Sequence, residues 1–176
     1  MGGTTGTYAL RYPSQTDAPD GATQIQDLAE DVDGALAGVA SPTAQTFTPA
    51  WSNIGSAVFD INTGWYYKIG KLVFVCIYAH VATAGSGTTA LTVSLPSAPY
   101  RTSRQVLSFN ADGIRGTGSS VNGYAVIFST AEGFSGALVD RLRGSSNAAT
   151  NIDTNVTGAD LSVNGRLTVQ GWYREA

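Results

Sequence analysis

The chain has 176 residues, enough for one domain and an appendage. Charged residues make up 13%, against roughly a quarter in an average domain, and the formal net charge is −3, so the basic footprint of a nucleic-acid binder is missing. One cysteine, Cys76, excludes an internal disulfide, and no apolar run reaches the length of a membrane-spanning helix. Residues 1–19 read as an extended arm: Tyr8, Leu10 and Tyr12 alternate with Ala9 and Arg11, and Pro13 and Pro19 forbid a helix through them. The arm lacks the apolar stretch of a secretory leader, so no signal peptide is expected.

A helix is expected over 20–39. Ile25, Leu28, Val32, Ala35 and Val39 recur at spacings of three, four, three and four, the seam of helices that pack on helices. Asp20 can cap its start, and Gly38 or the region of Pro42 can stop it. Nothing after Pro42 reads as a second helix. The seam therefore meets copies of itself or lies on the β region that follows, and it does not set the number of copies. Asp17, Asp20, Asp27, Glu30, Asp31 and Asp33 fall within 17–33 without a base, which reads as a solvated face.

A short linker, 40–43, leads to a β region over 44–176. Strands are expected at 45–48, 57–62, 65–69, 72–82, 90–95, 106–111, 114–117, 124–129 and 138–143, with a last pair around Asn164-Gly165. Thr63-Gly64 and Gly70-Lys71 read as turns, and Asp112-Gly113 and Asn164-Gly165 as hairpin signals. The run 72–82 is almost continuously apolar and belongs in the middle of a sheet. About nine or ten short, evenly spaced strands give a mainly β fold, an antiparallel sandwich or barrel.

Catalytic chemistry finds little support. His80 is the one histidine and stands in the apolar run, so it reads as a buried or interface residue. One His and one Cys make no metal constellation, and no nucleophile motif is present. Asp60, Asp112, Glu132, Asp140, Asp153, Asp160 and Glu175 are scattered, mostly at turns. No catalytic residue, metal or cofactor is expected, and the chain is not read as an enzyme. The loops are rich in small polar residues with an occasional aromatic, a mixture that suits carbohydrate, because a ring stacks on a sugar face while amides and hydroxyls bond its oxygens. Tyr100, Arg101, Arg104, Asn122, Tyr124 and Asn147 are the candidate contacts. The pairs Trp65-Tyr66 and Trp172-Tyr173 read as core or subunit-interface residues.

The N-terminal fifth carries a more specific pattern: Tyr12-Pro13, Thr16-Asp17, Pro19-Asp20, then the helix opening Ile25-Gln26-Asp27-Leu28-Ala29-Glu30-Asp31-Val32-Asp33. It closely resembles the start of tail fibre and minor tail proteins of bacteriophages, especially those infecting actinobacteria. In the β region, Phe47-Thr48-Pro49-Ala50-Trp51, the run from Gly64 to Val73, Val93-Ser94-Leu95-Pro96 and the closing Gly171-Trp172-Tyr173 are similar to the C-terminal part of such proteins. The resemblance implies a homotrimer located in the virion tail and made in the host cytoplasm. Its arm, including Tyr8, Leu10, Tyr12 and Pro13, would anchor to other virion proteins. Its helices would form a short three-stranded coiled coil through Ile25, Leu28, Val32, Ala35 and Val39. Its β region would form a jelly-roll-like head that binds a host-surface receptor, a glycan. A purely structural tail or capsid connector is the alternative. Neither nucleic acid nor membrane insertion is implied. If His80 meets its copies near a three-fold axis, acid is expected to loosen the assembly as the imidazoles charge.

Overall fold

The structure, a computed structural model, describes residues 3–4, 11–12, 21–40, 43–114, 119–146 and 154–176. The chain divides into two units, Met1–Thr43 and Ala44–Ala176.

In the first unit, β1 (Gly3–Thr4) pairs antiparallel with β2 (Arg11–Tyr12), Gly3 opposite Tyr12. Helix α1 runs Gly21–Ala40. Gln26 Nε2 donates to Glu30 Oε1 at 2.9 Å across one turn, a pairing that supports an exposed helix face. Of the seam, Ile25 and Leu28 are exposed and Val32 is half-buried.

The second unit contains β3 (Gln45–Phe47), β4 (Trp51–Ser52), β5 (Val58–Ile69), β6 (Leu72–Thr83), β7 (Thr92–Ser94), β8 (Gln105–Ile114), β9 (Ser119–Ile127), β10 (Leu138–Val139), β11 (Arg141–Ser146), β12 (Thr154–Asn155) and β13 (Arg166–Arg174). They form an eight-stranded sheet in the order β12-β11-β9-β8-β13-β6-β5-β3 and a three-stranded sheet in the order β10-β7-β4, both antiparallel and packed as a sandwich. Alternation decides which side chains enter the core. Val73, Val75, Ile77 and Val81 of β6, Leu107 and Phe109 of β8, and Leu167 and Val169 of β13 point inward. They meet Val93 of β7 and Val139 of β10.

The apolar run of β6 lies in the middle of the large sheet, between β13 and β5, as its composition requires. Gly70, at φ 58°, makes the tight β5–β6 turn with Lys71. Four expectations are corrected. Thr63-Gly64 is not a turn: β5 runs straight through it, and Gly64 is there because the Phe47 ring of β3 lies against its backbone, where a Cβ would come within 2.4 Å of Phe47 Cε1. Asp112-Gly113 is not a hairpin loop either. Gly113, at φ 67°, sits inside β8, where the register against β9 slips between Ala111 and Ile114, a bulge. Asn164-Gly165 does turn the chain, with Asn164 at φ 66° and the Gly165 N–H bonded to Ser162 O at 2.9 Å. It closes no hairpin, because β13 pairs with β6 and β8 rather than with the residues before the turn. The expected strand 138–143 divides at Asp140, sending β10 to the small sheet and β11 to the large one.

Candidate functional site

The outer face of the large sheet, opposite the core, is the most distinctive surface of the second unit. Leu72, Phe74, Cys76, Tyr78 and His80 alternate with the inward residues of β6, and each is half-buried or exposed. The register sets them in rows. Tyr67 lies opposite Phe74, which lies opposite Trp172. The next row holds Trp65, Cys76, Gln170 and Ser108, and the one after it Thr63, Tyr78, Thr168 and Asn110. The last is Ile61, His80, Arg166 and Asp112.

The rings of this face pack on one another. Trp65 and Tyr67 stack at 6.2 Å between centroids with 16° between planes, and Tyr67 and Phe74 at 5.3 Å with 21°. Trp172 meets Tyr67 and Phe74 near-perpendicularly, at 86° and 67°. Burial pushes the Cys76 thiol up. Charges stand at both ends of the face, Arg174 opposite Leu72 at one and His80, Arg166 and Asp112 in the last row at the other. His80 Nδ1 lies 2.5 Å from Asp60 Oδ1, and that hydrogen bond holds the Asp60 carboxyl below its ordinary value. Ser120 Oγ donates to Asp112 Oδ1 at 2.6 Å.

The face turns polar over β8 and β9. Asn110 lies opposite Asn122, and Ser108 opposite Tyr124. Ser108 and Asn122 are exposed, while Asn110 and Tyr124 are half-buried. Two of the expected contacts, Asn122 and Tyr124, are thus brought together with two that were not singled out, Ser108 and Asn110. The signal was in the chain: inward Leu107, Phe109 and Ala111 alternate with Ser108 and Asn110.

The connection before β8 is different. Tyr100 lies under the Arg174 guanidinium, 4.2 Å from Cζ to the ring centroid. Arg101, expected at the surface, is buried. Its Nη1 donates to Asp140 Oδ2 and to Phe128 O, each at 2.7 Å, its Nη2 to Leu138 O at 2.9 Å, and its Nε to Gly136 O at 3.0 Å. The guanidinium is fully occupied holding the β10–β11 crossover, because a buried charge must be paired and hydrogen-bonded. Arg104 is bound by Glu132 and lies 5.0 Å over the Phe128 ring. Its hydrogen bond, with help from the Ser129 N–H, lowers the Glu132 carboxyl to about 2. Tyr8, Leu10, Pro13, Asp20 and Asn147, and the side chains of Tyr12, Ala35 and Val39, lie outside the described residues.

Among the described residues no group of three or more His, Cys, Asp or Glu is placed to hold a metal ion, and no helix is long and apolar enough to cross a membrane. Comparison with protein-family models, with curated proteins and with solved structures finds no match.

Proposed function

We propose that the chain is a homotrimeric structural protein of a bacteriophage tail, a short fibre or tip whose β unit attaches to a glycan on the host surface. The observation that carries this reading is the exposed seam of α1. Ile25 and Leu28 stand in solvent at heptad spacing on a helix of 20 residues, close to the length at which a lone helix is marginal in water. Packing against two further copies as a short coiled coil buries that seam. The number three, the tail location, the anchoring role of the arm and a jelly-roll-like head rest on the resemblance of the arm and helix to phage tail proteins.

For the glycan, Ser108, Asn110, Asn122 and Tyr124 offer hydroxyls, amides and one ring on adjacent strands. A second reading, a tail or capsid connector without receptor binding, is favoured by Tyr100, Arg101 and Arg104, which are engaged within the β unit itself.

The test is light scattering on the purified chain, followed by a pull-down with host cell envelopes. A mass three times that of the 18.2 kDa chain, with binding that Asn122→Arg abolishes, is the expected result. A trimer that binds no envelope selects the connector. A monomer overturns both, as does assembly unaffected by Leu28→Asp, which would set unpaired charges in the bundle.

A further inference from the structure

Five large side chains on the outer face of the eight-stranded sheet, Ile61, Trp65, Leu72, Val106 and Trp172, are 46%, 39%, 50%, 59% and 44% exposed. At about 150–250 Å² for a fully exposed large side chain, they present roughly 350–600 Å² of apolar surface. That equals the largest patch of a typical monomer, about 300–600 Å², which is often functional. It is also of the size that forms the core of a stable interface burying about 800 Å² per partner.

We infer that this face, over β5, β6, β13 and the start of β8, is where the β units of separate copies of the chain meet, turned towards the axis of the assembly. Its composition fits a protein partner. The three rows built on Tyr67-Phe74-Trp172, Trp65-Cys76-Gln170 and Thr63-Tyr78-Thr168 contain no charged residue and five aromatic ones. Depletion of charge and enrichment in aromatics mark the centre of an interface. Asp60, His80, Arg166 and Asp112 close one end as a charged rim.

The ring geometry disfavours a sugar. A glycan platform needs ring faces open to solvent, whereas Trp65, Tyr67 and Phe74 turn theirs towards one another. Ring edges and aliphatic tips are left, and these interdigitate with protein side chains. The strand itself asks for cover, since a nearly continuous apolar run belongs to a strand buried on both faces, and the core buries one face of β6.

The occupant is a second copy because the chain already carries one self-association device. The α1 seam, on which this inference rests through the assembly proposed above, tethers further β units at an effective concentration of about millimolar. Identical patches on three copies close a ring by meeting around its axis.

Cys76, the chain's single thiol, lies in the middle row between Trp65 and Gln170, so its reactivity reports cover. The full chain is treated with a maleimide probe across a dilution series while its mass is followed. Cys76 in the assembled protein should label at least tenfold more slowly than in the dissociated chain. Gln170→Glu alters an exposed side chain and should leave the β circular dichroism unchanged while raising the concentration for half-dissociation at least tenfold. An assembly in which Cys76 labels as fast as in the dissociated chain, or in which Gln170→Glu has no effect, overturns the inference and leaves the helical seam standing as the assembly contact. Protection that appears only on adding host envelope overturns it in favour of a glycan on this face. A chain that is monomeric at every concentration overturns this inference and the proposed trimer together.

Discussion

Replacing Arg101 with Met tests whether the connection before β8 is a brace or a binding loop. The Arg101 and Asp140 side chains are 6% and 1% exposed, and the carboxylate also accepts the Phe128 N–H at 2.7 Å. Arg101→Met keeps the aliphatic stem and removes the charge, leaving Asp140 as an uncompensated buried carboxylate. Removing one partner of a buried pair costs about 3–5 kcal/mol. For a unit of this size that is a fall in Tm of about 10–20 °C. Removing both charges, in Arg101→Met with Asp140→Leu, should recover only part of the loss. The Phe128 N–H and carbonyl would remain buried without their partners, at about 1–3 kcal/mol each. The assay is urea and thermal unfolding followed by tryptophan fluorescence, with envelope binding measured well below the lower Tm. Arg101→Met should bind as the parent does while unfolding earlier. A loss below about 1 kcal/mol, or a loss of binding at unchanged stability, would refute the bracing role.

Glu132 should titrate near 2 by carboxyl NMR, and Arg104→Ala should move it up towards the ordinary 4.5, since the Arg104 hydrogen bond is the leading cause. Because that carboxyl is depressed in the folded state, whatever stability the pair adds is complete above the ordinary value and disappears as pH falls towards 2. Gly64→Val should destabilise the unit by about 1–3 kcal/mol in urea unfolding, because the new side chain meets the Phe47 ring in a packed layer. The Asp60 carboxyl should titrate below its ordinary value by carboxyl NMR, and His80→Ala should move it back up, since the His80 hydrogen bond is the leading cause of the lowering.

The middle of the large sheet was legible because one strand carried its own signal. The run 72–82 is apolar enough to need neighbours on both sides, and β6 has them. Helix α1 was legible for the same local reason, a seam of apolar residues at heptad spacing. Glycine dipeptides misled, because a positive φ serves a bulge as well as a turn. Gly113 uses it inside β8, and no local pattern separates the two uses. Gly64 was opaque for another reason. Its smallness answers Phe47, on a different strand. Arg101 was least readable of all, because four of the groups that bury it come from Phe128, Gly136, Leu138 and Asp140, far along the chain. The aromatic pairs were read as core or interface, and the structure splits each pair. Tyr66 packs against the core and Tyr173 lies within it, while Trp65 and Trp172 are exposed on the opposite face, as neighbouring residues in a strand must be.

That split explains how so weakly charged a chain can present two different surfaces on one sheet. Along β13 the outward residues run from Arg166 through Thr168 and Gln170 to Trp172, passing from a charged rim to an aromatic band. Across the sheet, from β5 to β9, the outward residues of one row pass from Trp65 and Cys76 to Gln170, Ser108 and Tyr124. Burying the aromatic half against copies leaves the polar half at the periphery, where hydroxyls and amides keep their water until a ligand replaces it. The two halves therefore separate by substitution. Gln170→Glu should weaken assembly, and Asn122→Arg should weaken envelope binding with assembly intact. A single substitution that removed both would mean that the ligand sits between copies, with Ser108, on the border of the two halves, as the first residue to change.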